Sequence, residues 1–223
     1  MSFLKRAATY YVSEPHQEAA WDALELRLPK YLLEEFQQAY RGSPEPSGGL
    51  ITLDVFEQLT GYSASLFTDQ EVDDCNLMLK ETGFGDDPEL LSMLMANILH
   101  ETCNMKYMKE IADGWAYEGR SDLGNTQSGD GPRFKGAGVL QLTGRYNYSR
   151  LSKALADPQV MKGVDYVAST YPFRSAVPWI SENRLLDVAK TEGFEAVCVR
   201  INGGYNGYED RKTKYKICRE VFC

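Results

Sequence analysis

Hydrophobic residues recur at helical spacing in the stretch PELLSMLMANILHE, residues 88–101. Leu91, Leu94 and Ile98 follow one another at intervals of three and four, which predicts a helix with an apolar face. The next residue at this spacing is Glu101, so the helix directs a carboxylate towards its apolar side. Such a glutamate is either a surface residue out of phase with the pattern or a carboxylate at the wall of a cleft.

Capping residues indicate where the neighbouring helices begin. Thr52 precedes LDVFEQLTG, Thr68 and Glu71 form a capping box before a helix that ends at Gly83, and Asp87 precedes Pro88 at the start of the apolar helix. Further helices are predicted at 145–156, 163–170, 176–190, 193–201 and 208–221. A long ordered loop rich in Gly, Pro and Ser is predicted at 113–138, and a small hairpin around 133–142 is the most that the sequence suggests for β structure. The fold class is therefore mainly α.

The first part of the chain has a different composition. Two short helices are predicted within residues 14–41, and GSPEPSGG at 42–49 is typical of a linker. We place a domain boundary near residue 48, with a helical segment and linker at 1–48 and the main domain at 49–223. The N-terminal segment is too short for a stable core of its own, so it either docks on the main domain or binds a partner.

Charge and composition exclude several classes of protein. The 223 residues carry a formal net charge of −8 and no basic cluster, which argues against a nucleic-acid partner. No apolar stretch is long enough for a membrane span, and no export signal is visible, so we expect no stable membrane insertion and synthesis in the cytoplasm. The five cysteines form no CxxC pair and only two histidines are present, so we expect reduced thiols, no metal site and no cofactor.

A second glutamate nine residues after Glu101 suggests chemistry. An apolar environment favours the protonated form of a carboxyl group, which is the form that a general acid needs. The residues TCN at 102–104 are poor helix formers, and Asn104 is suited to a left-handed turn that would bring Glu110 back across a groove. Two carboxylates across a groove are what hydrolysis of a glycosidic bond requires.

Three longer blocks carry a family resemblance. HET at 100–102, GDGPRFKGAGVLQLTGRYNY at 129–148 and INGGYNGYEDR at 201–211 resemble glycoside hydrolase family 19, the phage endolysin branch more than the plant chitinases. The resemblance covers about residues 50–223 and implies a lysozyme-like helical fold with a deep cleft between two lobes. It also implies an inverting glycosidase whose partner is the peptidoglycan glycan strand.

The resemblance assigns roles residue by residue. Glu101 matches the general acid, Glu110 matches the general base, and Thr143 matches the hydroxyl that holds the attacking water. The residues that match substrate-binding or site-adjacent positions are His100, Gln141, Tyr146, Asn147, Asn202 and Arg211, the last being the cation near the carboxylates. In the inverting mechanism the two carboxyl groups lie roughly 6.5–9.5 Å apart.

The chain also departs from the family pattern. Lys135 and Ala137 stand where the family usually has arginines, which puts the strength of one sugar subsite in doubt. The position of the base also remains open, because Glu118 and Asp122 in the glycine-rich loop lie where the chitinase branch has its second glutamate.

Several functions remain open. We expect an endolysin-like muramidase that acts as a monomer on the cell wall after the membrane has been permeabilised. The alternatives are a chitinase, a glycan-binding protein that has lost turnover, and a protein whose residues 1–48 define its function by recruiting a partner.

Overall fold

The computed structural model describes residues 50–223. The helices predicted within 14–41, the linker at 42–49 and the boundary near residue 48 lie outside this range and stay predictions. The described part contains nine α-helices: α1 Leu53–Thr60, α2 Asp69–Thr82, α3 Pro88–Glu101, α4 Asp130–Arg133, α5 Arg145–Ala154, α6 Val164–Thr170, α7 Val177–Glu182, α8 Leu185–Asn202 and α9 Tyr208–Phe222. None of them is both long and apolar enough to span a bilayer.

The predicted helix starts are confirmed. The Thr52 side chain accepts a hydrogen bond from the backbone N–H of Val55 at the start of α1. Thr68 and Glu71 form the reciprocal capping box of α2, which ends at Gly83 in the left-handed conformation. Asp87 caps α3, with Pro88 in the first turn. These signals depend on adjacent residues alone, which is why the sequence predicts them well.

The helix predicted at 176–190 is wrong in one respect, because the chain breaks it after α7. Arg184 adopts a left-handed φ of 50° between α7 and α8. The Asn183 side chain donates to the carbonyl of Trp179 at 2.9 Å, a local bond that competes with continuation of the helix. The predicted break between 190 and 193 is present as a kink at Gly193, which has φ 81° and ψ −169° inside α8.

The loop at 113–138 is folded into short turns. It contains 3-10 turns at Trp115–Tyr117 and Ser121–Leu123, followed by α4. Asp130 in α4 is 1% exposed and pairs with Arg145 at 2.5 Å, which lowers the pKa of Asp130 chiefly through the hydrogen bond. In place of a hairpin, isolated bridges join Ala137 to Lys109 and to Leu142.

Two separate hydrophobic cores lie in the described residues. The larger one contains α3 and is built from α1, α2, α7, α8 and α9 around it. Ten consecutive residues of α3, 90–99, are buried, as expected for a helix enclosed by others. The smaller core is formed by α5, α6 and the segment around Phe134 and Ala137. The mainly α fold class is therefore confirmed.

Helices α3 and α9 pack antiparallel, and polar contacts join them along their length. At one end Glu89 of α3 pairs with Arg219 of α9 at 3.0 Å. Near the other end Arg211, which is 1% exposed, bonds to Asn97 at 2.7 Å and forms an ion pair with Glu101. A guanidinium in the core is stable only when such partners balance its charge.

We expect Arg211→Met to lower the free energy of unfolding by about 3 kcal/mol, because it leaves Asn97 and Glu101 without their partner. Urea unfolding measures the change. Lys212→Met is the matched control, since this exposed neighbour contacts Glu209 and the Tyr208 ring of its own helix, and it should leave the midpoint unchanged. Arg211→Met combined with Glu101→Gln should recover part of the loss; a double variant no more stable than Arg211→Met alone would contradict the account.

A second buried charge holds α2 against the segment before α7. Asp74 is 4% exposed, and one of its oxygens accepts the backbone N–H groups of Phe173 at 2.7 Å and Arg174 at 3.1 Å. Burial raises the pKa of Asp74 to about 7, and these hydrogen bonds only partly oppose the rise. A neutral acid still offers its carbonyl oxygen to both N–H groups.

This raised pKa predicts a pH dependence of stability. A carboxyl whose pKa is raised in the folded state stabilises the protein fully at low pH and loses that contribution as the pH rises through about 7. Relative to Asp74→Asn, the wild-type protein should therefore lose stability between about pH 4 and pH 7, by at most about 1.4 kcal/mol per pH unit, and should lose no more above that range. Urea unfolding at both pH values tests this, with exposed Asp69→Asn on the same helix as the control. A stability difference that does not change with pH would exclude the effect.

Candidate active site

Glu101 is the last residue of α3, and the chain turns sharply after it. Thr102 ends the helix by donating its hydroxyl to the carbonyl of Ile98 at 2.7 Å. Cys103, Asn104 and Met105 then follow with left-handed φ angles of 51°, 60° and 64°. The left-handed conformation predicted for Asn104 is confirmed and extends over three residues. The Asn104 side chain also accepts a hydrogen bond from Lys214 of α9 at 2.8 Å, which ties the turn to the larger core.

The Glu101 carboxylate lies at the surface of that core. Its side chain is 28% exposed, and its Oε1 atom accepts from Arg211. Its Oε2 atom has no hydrogen-bond partner within residues 50–223 and is available to a ligand. Because Arg211 is buried beneath this carboxylate, it contacts Glu101 and Asn97 and cannot reach a sugar. The resemblance describes Arg211 as a cation near the carboxylates, and the structure places its guanidinium against Glu101; its role at the site stays a prediction.

His100 joins α3 to the start of α9. Its Nδ1 atom is 2.6 Å from the carboxylate of Asp210. A Cβ atom on Gly207 would lie 2.2 Å from the imidazole ring, so only glycine allows this close packing. Burial tends to raise the pKa of Asp210, but the hydrogen bond to His100 and the charge of Lys214 outweigh it and lower the pKa. His100 thus fixes the segment that carries Arg211.

Glu110 is held by the segment next to the smaller core. Its backbone N–H donates to the carbonyl of Gly136 at 2.9 Å, and its Oε2 atom accepts the N–H of Gly136 at 2.8 Å. The Tyr117 hydroxyl donates to Oε1 at 3.1 Å. Burial raises the pKa of Tyr117, and the charge and hydrogen bond of Glu110 raise it further. Tyr117 was not singled out from the sequence, because no motif marks it.

Glycine at position 136 brings two of the predicted residues together. A Cβ atom there would lie 2.3 Å from Oε1 of Gln141 and 3.1 Å from Oε2 of Glu110. The amide and the carboxylate therefore lie side by side over the Gly136 backbone, where a larger residue would displace them.

Hydrogen bonds extend this cluster to two further predicted residues. The Thr143 hydroxyl donates to the backbone carbonyl of Gln141 at 2.8 Å, and the Asn147 side chain donates to the backbone carbonyl of Thr143 at 2.8 Å. The structure thus joins Glu110, Gln141, Thr143 and Asn147 in one cluster.

Tyr146 and Asn202 lie in different settings. Tyr146 is 60% exposed, with its ring available to a ligand. Asn202 ends α8, and its side-chain nitrogen is buried without a hydrogen-bond partner in the described part of the chain. An unpaired buried donor is costly, so residues 50–223 give no stabilising contact for this amide nitrogen.

The two alternative bases have other contacts. Both oxygens of Glu118 accept backbone N–H groups, from Gly129 and Gly131, each at 2.8 Å. Asp122 is an exposed residue paired with Arg120, and that hydrogen bond is the main cause of its lowered pKa. Of the three acidic residues, Glu110 is the one in contact with the Gly136–Gln141 cluster.

Lys135 and Ala137, which stand where the family usually has arginines, make contacts within the protein. Ala137 is 0% exposed and pairs with Lys109 and Leu142, and Lys135 donates to the backbone carbonyl of Ala112 at 2.6 Å. Within residues 50–223, no group of three His, Cys, Asp or Glu side chains is arranged to hold a metal ion, and the five cysteines are free.

The chain is similar to known proteins in sequence over about half its length. A glycosyl hydrolase family 19 domain-containing protein of Haemophilus influenzae is 32% identical over 111 residues, which are 48% of this chain and 52% of that protein. An endochitinase of Arabidopsis thaliana is 34% identical over 116 residues, 51% of this chain and 39% of that protein. The alignments thus span about half or less of these curated relatives, and no family model matches the sequence.

Solved structures share the fold over a larger part of the chain. Chitinase C from Streptomyces griseus superposes with a TM-score of 0.57 at 19% identity and covers 79% of this chain and 78% of that one. A bacterial family 19 chitinase gives a TM-score of 0.59 at 18% identity, covering 78% and 95%. The chain thus resembles glycosyl hydrolase family 19 proteins in sequence over about half its length and shares its fold with family 19 chitinases.

Proposed function

We propose that this protein hydrolyses β-1,4 glycosidic bonds of peptidoglycan by an inverting mechanism, with Glu101 as general acid and Glu110 as general base. The observation that carries the proposal is that each glutamate is fixed to a different hydrophobic core. Glu101 is anchored to the larger core through Arg211, and Glu110 is anchored through Gly136 beside the smaller core. Carboxylates on two lobes can act on opposite faces of a sugar placed between them.

The contacts of each residue suit its proposed step. Glu101 has one oxygen held by Arg211, and its free Oε2 atom can deliver a proton to the leaving glycosidic oxygen. Thr143 donates its hydroxyl hydrogen to Gln141, so the lone pairs of its oxygen are left to accept a hydrogen bond from water. Glu110 then takes the second proton of that water as the oxygen attacks the anomeric carbon. The water thus adds to the sugar while the leaving group gains the proton of Glu101.

Two features favour peptidoglycan as the substrate. The nine-residue interval between Glu101 and Glu110 resembles the endolysin branch. The loop carboxylates that would match the chitinase branch are engaged elsewhere, Glu118 by two backbone N–H groups and Asp122 by Arg120. The second candidate is a chitinase, because the solved structures with this fold are chitinases. A glycan-binding protein without turnover is the third.

The setting of the activity follows from the same proposal. We propose that the protein is made in the cytoplasm of a phage host and reaches the wall after another factor has permeabilised the membrane. We propose that it acts there as a monomer, without a metal or cofactor, and that its lysis of the host is the source of any antimicrobial effect. If residues 1–48 recruit a partner that defines the function, their deletion will abolish lysis even though the site is intact.

The two glutamates make the first test. We expect Glu101→Gln to abolish hydrolysis and Glu110→Gln to lower kcat at least about 100-fold, because each removes a proton-transfer group. Peptidoglycan turnover by the purified variants measures this, and circular dichroism establishes that they are folded. Asp122→Asn is the matched control in the loop and should retain wild-type activity. Full activity of Glu110→Gln together with loss in Asp122→Asn would reassign the base.

Digestion products make the second test. Mass spectrometry of digested peptidoglycan should show new reducing ends, and colloidal chitin should be cut more slowly. Proton NMR of the first products should show the α-anomer, because an inverting enzyme changes the configuration of a β-linked bond. Turnover of chitin alone would establish the chitinase instead, and binding of glycan without any product would establish the non-catalytic protein.

A further inference from the structure

A pocket of about 240 Å³ adjoins the Glu110 cluster. Gln141, Thr143 and Asn147 form part of its wall, and Trp179 contributes from α7. Since Gln141 also lies beside Glu110, the pocket is continuous with the proposed catalytic cluster. A substituent of a sugar held at that cluster can therefore enter it.

The pocket carries an ion pair that the proposed mechanism does not use. Arg150 of α5 and Glu182 at the end of α7 both line the pocket and pair with each other across it. Their side chains are 36% and 48% exposed, so both remain accessible to a ligand. The guanidinium carbon of Arg150 also lies 5.6 Å from the centre of the Tyr146 ring, which holds the cation on the side of a predicted sugar contact.

Arg150 and Glu182 can exchange their mutual ion pair for contacts with a charged ligand. An exposed ion pair contributes little to stability, so separating Arg150 from Glu182 costs little. A guanidinium binds a carboxylate through two parallel hydrogen bonds, which are stronger than bonds between neutral groups. Glu182, once released, can bind an ammonium group. A ligand with charges of both signs would thus replace the internal pair by two external ones.

The two candidate substrates, chitin and peptidoglycan, differ in charge. Chitin is a neutral polymer of N-acetylglucosamine, and amides such as Gln141 and Asn147 can satisfy its N-acetyl groups. Peptidoglycan carries peptide stems on its muramic acid residues, and these stems bear carboxylates and amines. Because the whole chain has a net charge of −8, an anionic substituent would be repelled unless a local cation receives it.

We infer that the pocket between α5 and α7 binds the peptide stem of the muramic acid residue, with Arg150 receiving a stem carboxylate, and that Arg150 is a specificity-determining residue. This inference rests on the proposed function, since it assigns a subsite of the same cleft. It predicts that charge in the stem raises affinity, whereas the sugar backbone alone gains nothing from Arg150.

The test measures binding and not turnover. Glu101→Gln serves as the parent, because it should not consume the ligand. Calorimetry compares a disaccharide carrying its peptide stem with the same disaccharide after an amidase has removed the stem and the lactyl carboxylate freed by that cleavage has been capped as its methyl amide. The parent should bind the stem-bearing ligand at least about tenfold more tightly. Adding Arg150→Gln should remove that preference and leave the affinity for the stripped disaccharide unchanged.

A matched variant separates the cation from the ion pair. Arg150→Gln and Glu182→Gln both break the pair, but only the first removes the positive charge. Adding Glu182→Gln to the parent should therefore keep the preference for the stem. Equal affinities of the parent for the two ligands, or equal losses in both added variants, would overturn the inference.

The proposed function can fail separately. Selective binding of the stem together with a wild-type protein that cuts no peptidoglycan would contradict the proposed hydrolysis and leave the stem subsite in place. Hydrolysis of peptidoglycan without a preference for the stem would support the proposed function and overturn the stem subsite.

Discussion

The structure depends on one buried cation. Arg211 lies in the packed interface between α3 and α9, where it can remain only because Glu101 balances its charge and Asn97 accepts a hydrogen bond from it. The same contacts that stabilise this interface therefore fix the Glu101 carboxylate, one oxygen held and the other free. This answers why the apolar pattern of α3 ends in a glutamate: the side chain faces the core because its partner is inside it. The stability of the interface between α3 and α9 and the placement of the proposed acid thus depend on the same cluster, Arg211, Asn97 and Glu101.

The second carboxylate is held by neutral groups instead of a cation. Glu110 accepts from a backbone N–H and from the Tyr117 hydroxyl, and Gly136 leaves room for Gln141 beside it. Because the two glutamates are anchored to different cores, their mutual position depends on the chain that joins them. That chain begins with three consecutive left-handed residues, 103–105, so the turn sets the direction in which Glu110 is presented.

Sequence signals were reliable where the cause is local. Caps such as Thr52 and Asp87 act on residues two or three positions away, and the left-handed Asn104 follows from its own side chain. The break at Arg184 was missed, because arginine has no preference for a left-handed φ and the packing around it decides. The site residues also divide into those with local signals and those that depend on packing. Glu101 and Glu110 could be singled out from pattern and resemblance, but the burial of Arg211 and the hydrogen bond from Tyr117 arise only when distant segments pack together.

The proposed cleft offers both amide and charged side chains to a ligand, and a neutral sugar polymer would not need the charged ones. Gln141 and Asn147 offer amides, which are suited to N-acetyl groups and carry no charge. Arg150 and Glu182 add a cation and an anion on the pocket wall of an acidic protein, where a neutral glycan would gain nothing from them. A glycan with charged peptide branches could contact both groups of residues, because the amides can bind the sugar and the charged residues can bind the branch. The charge pattern of the pocket thus supports the proposed cell-wall substrate on grounds independent of the spacing between the two glutamates.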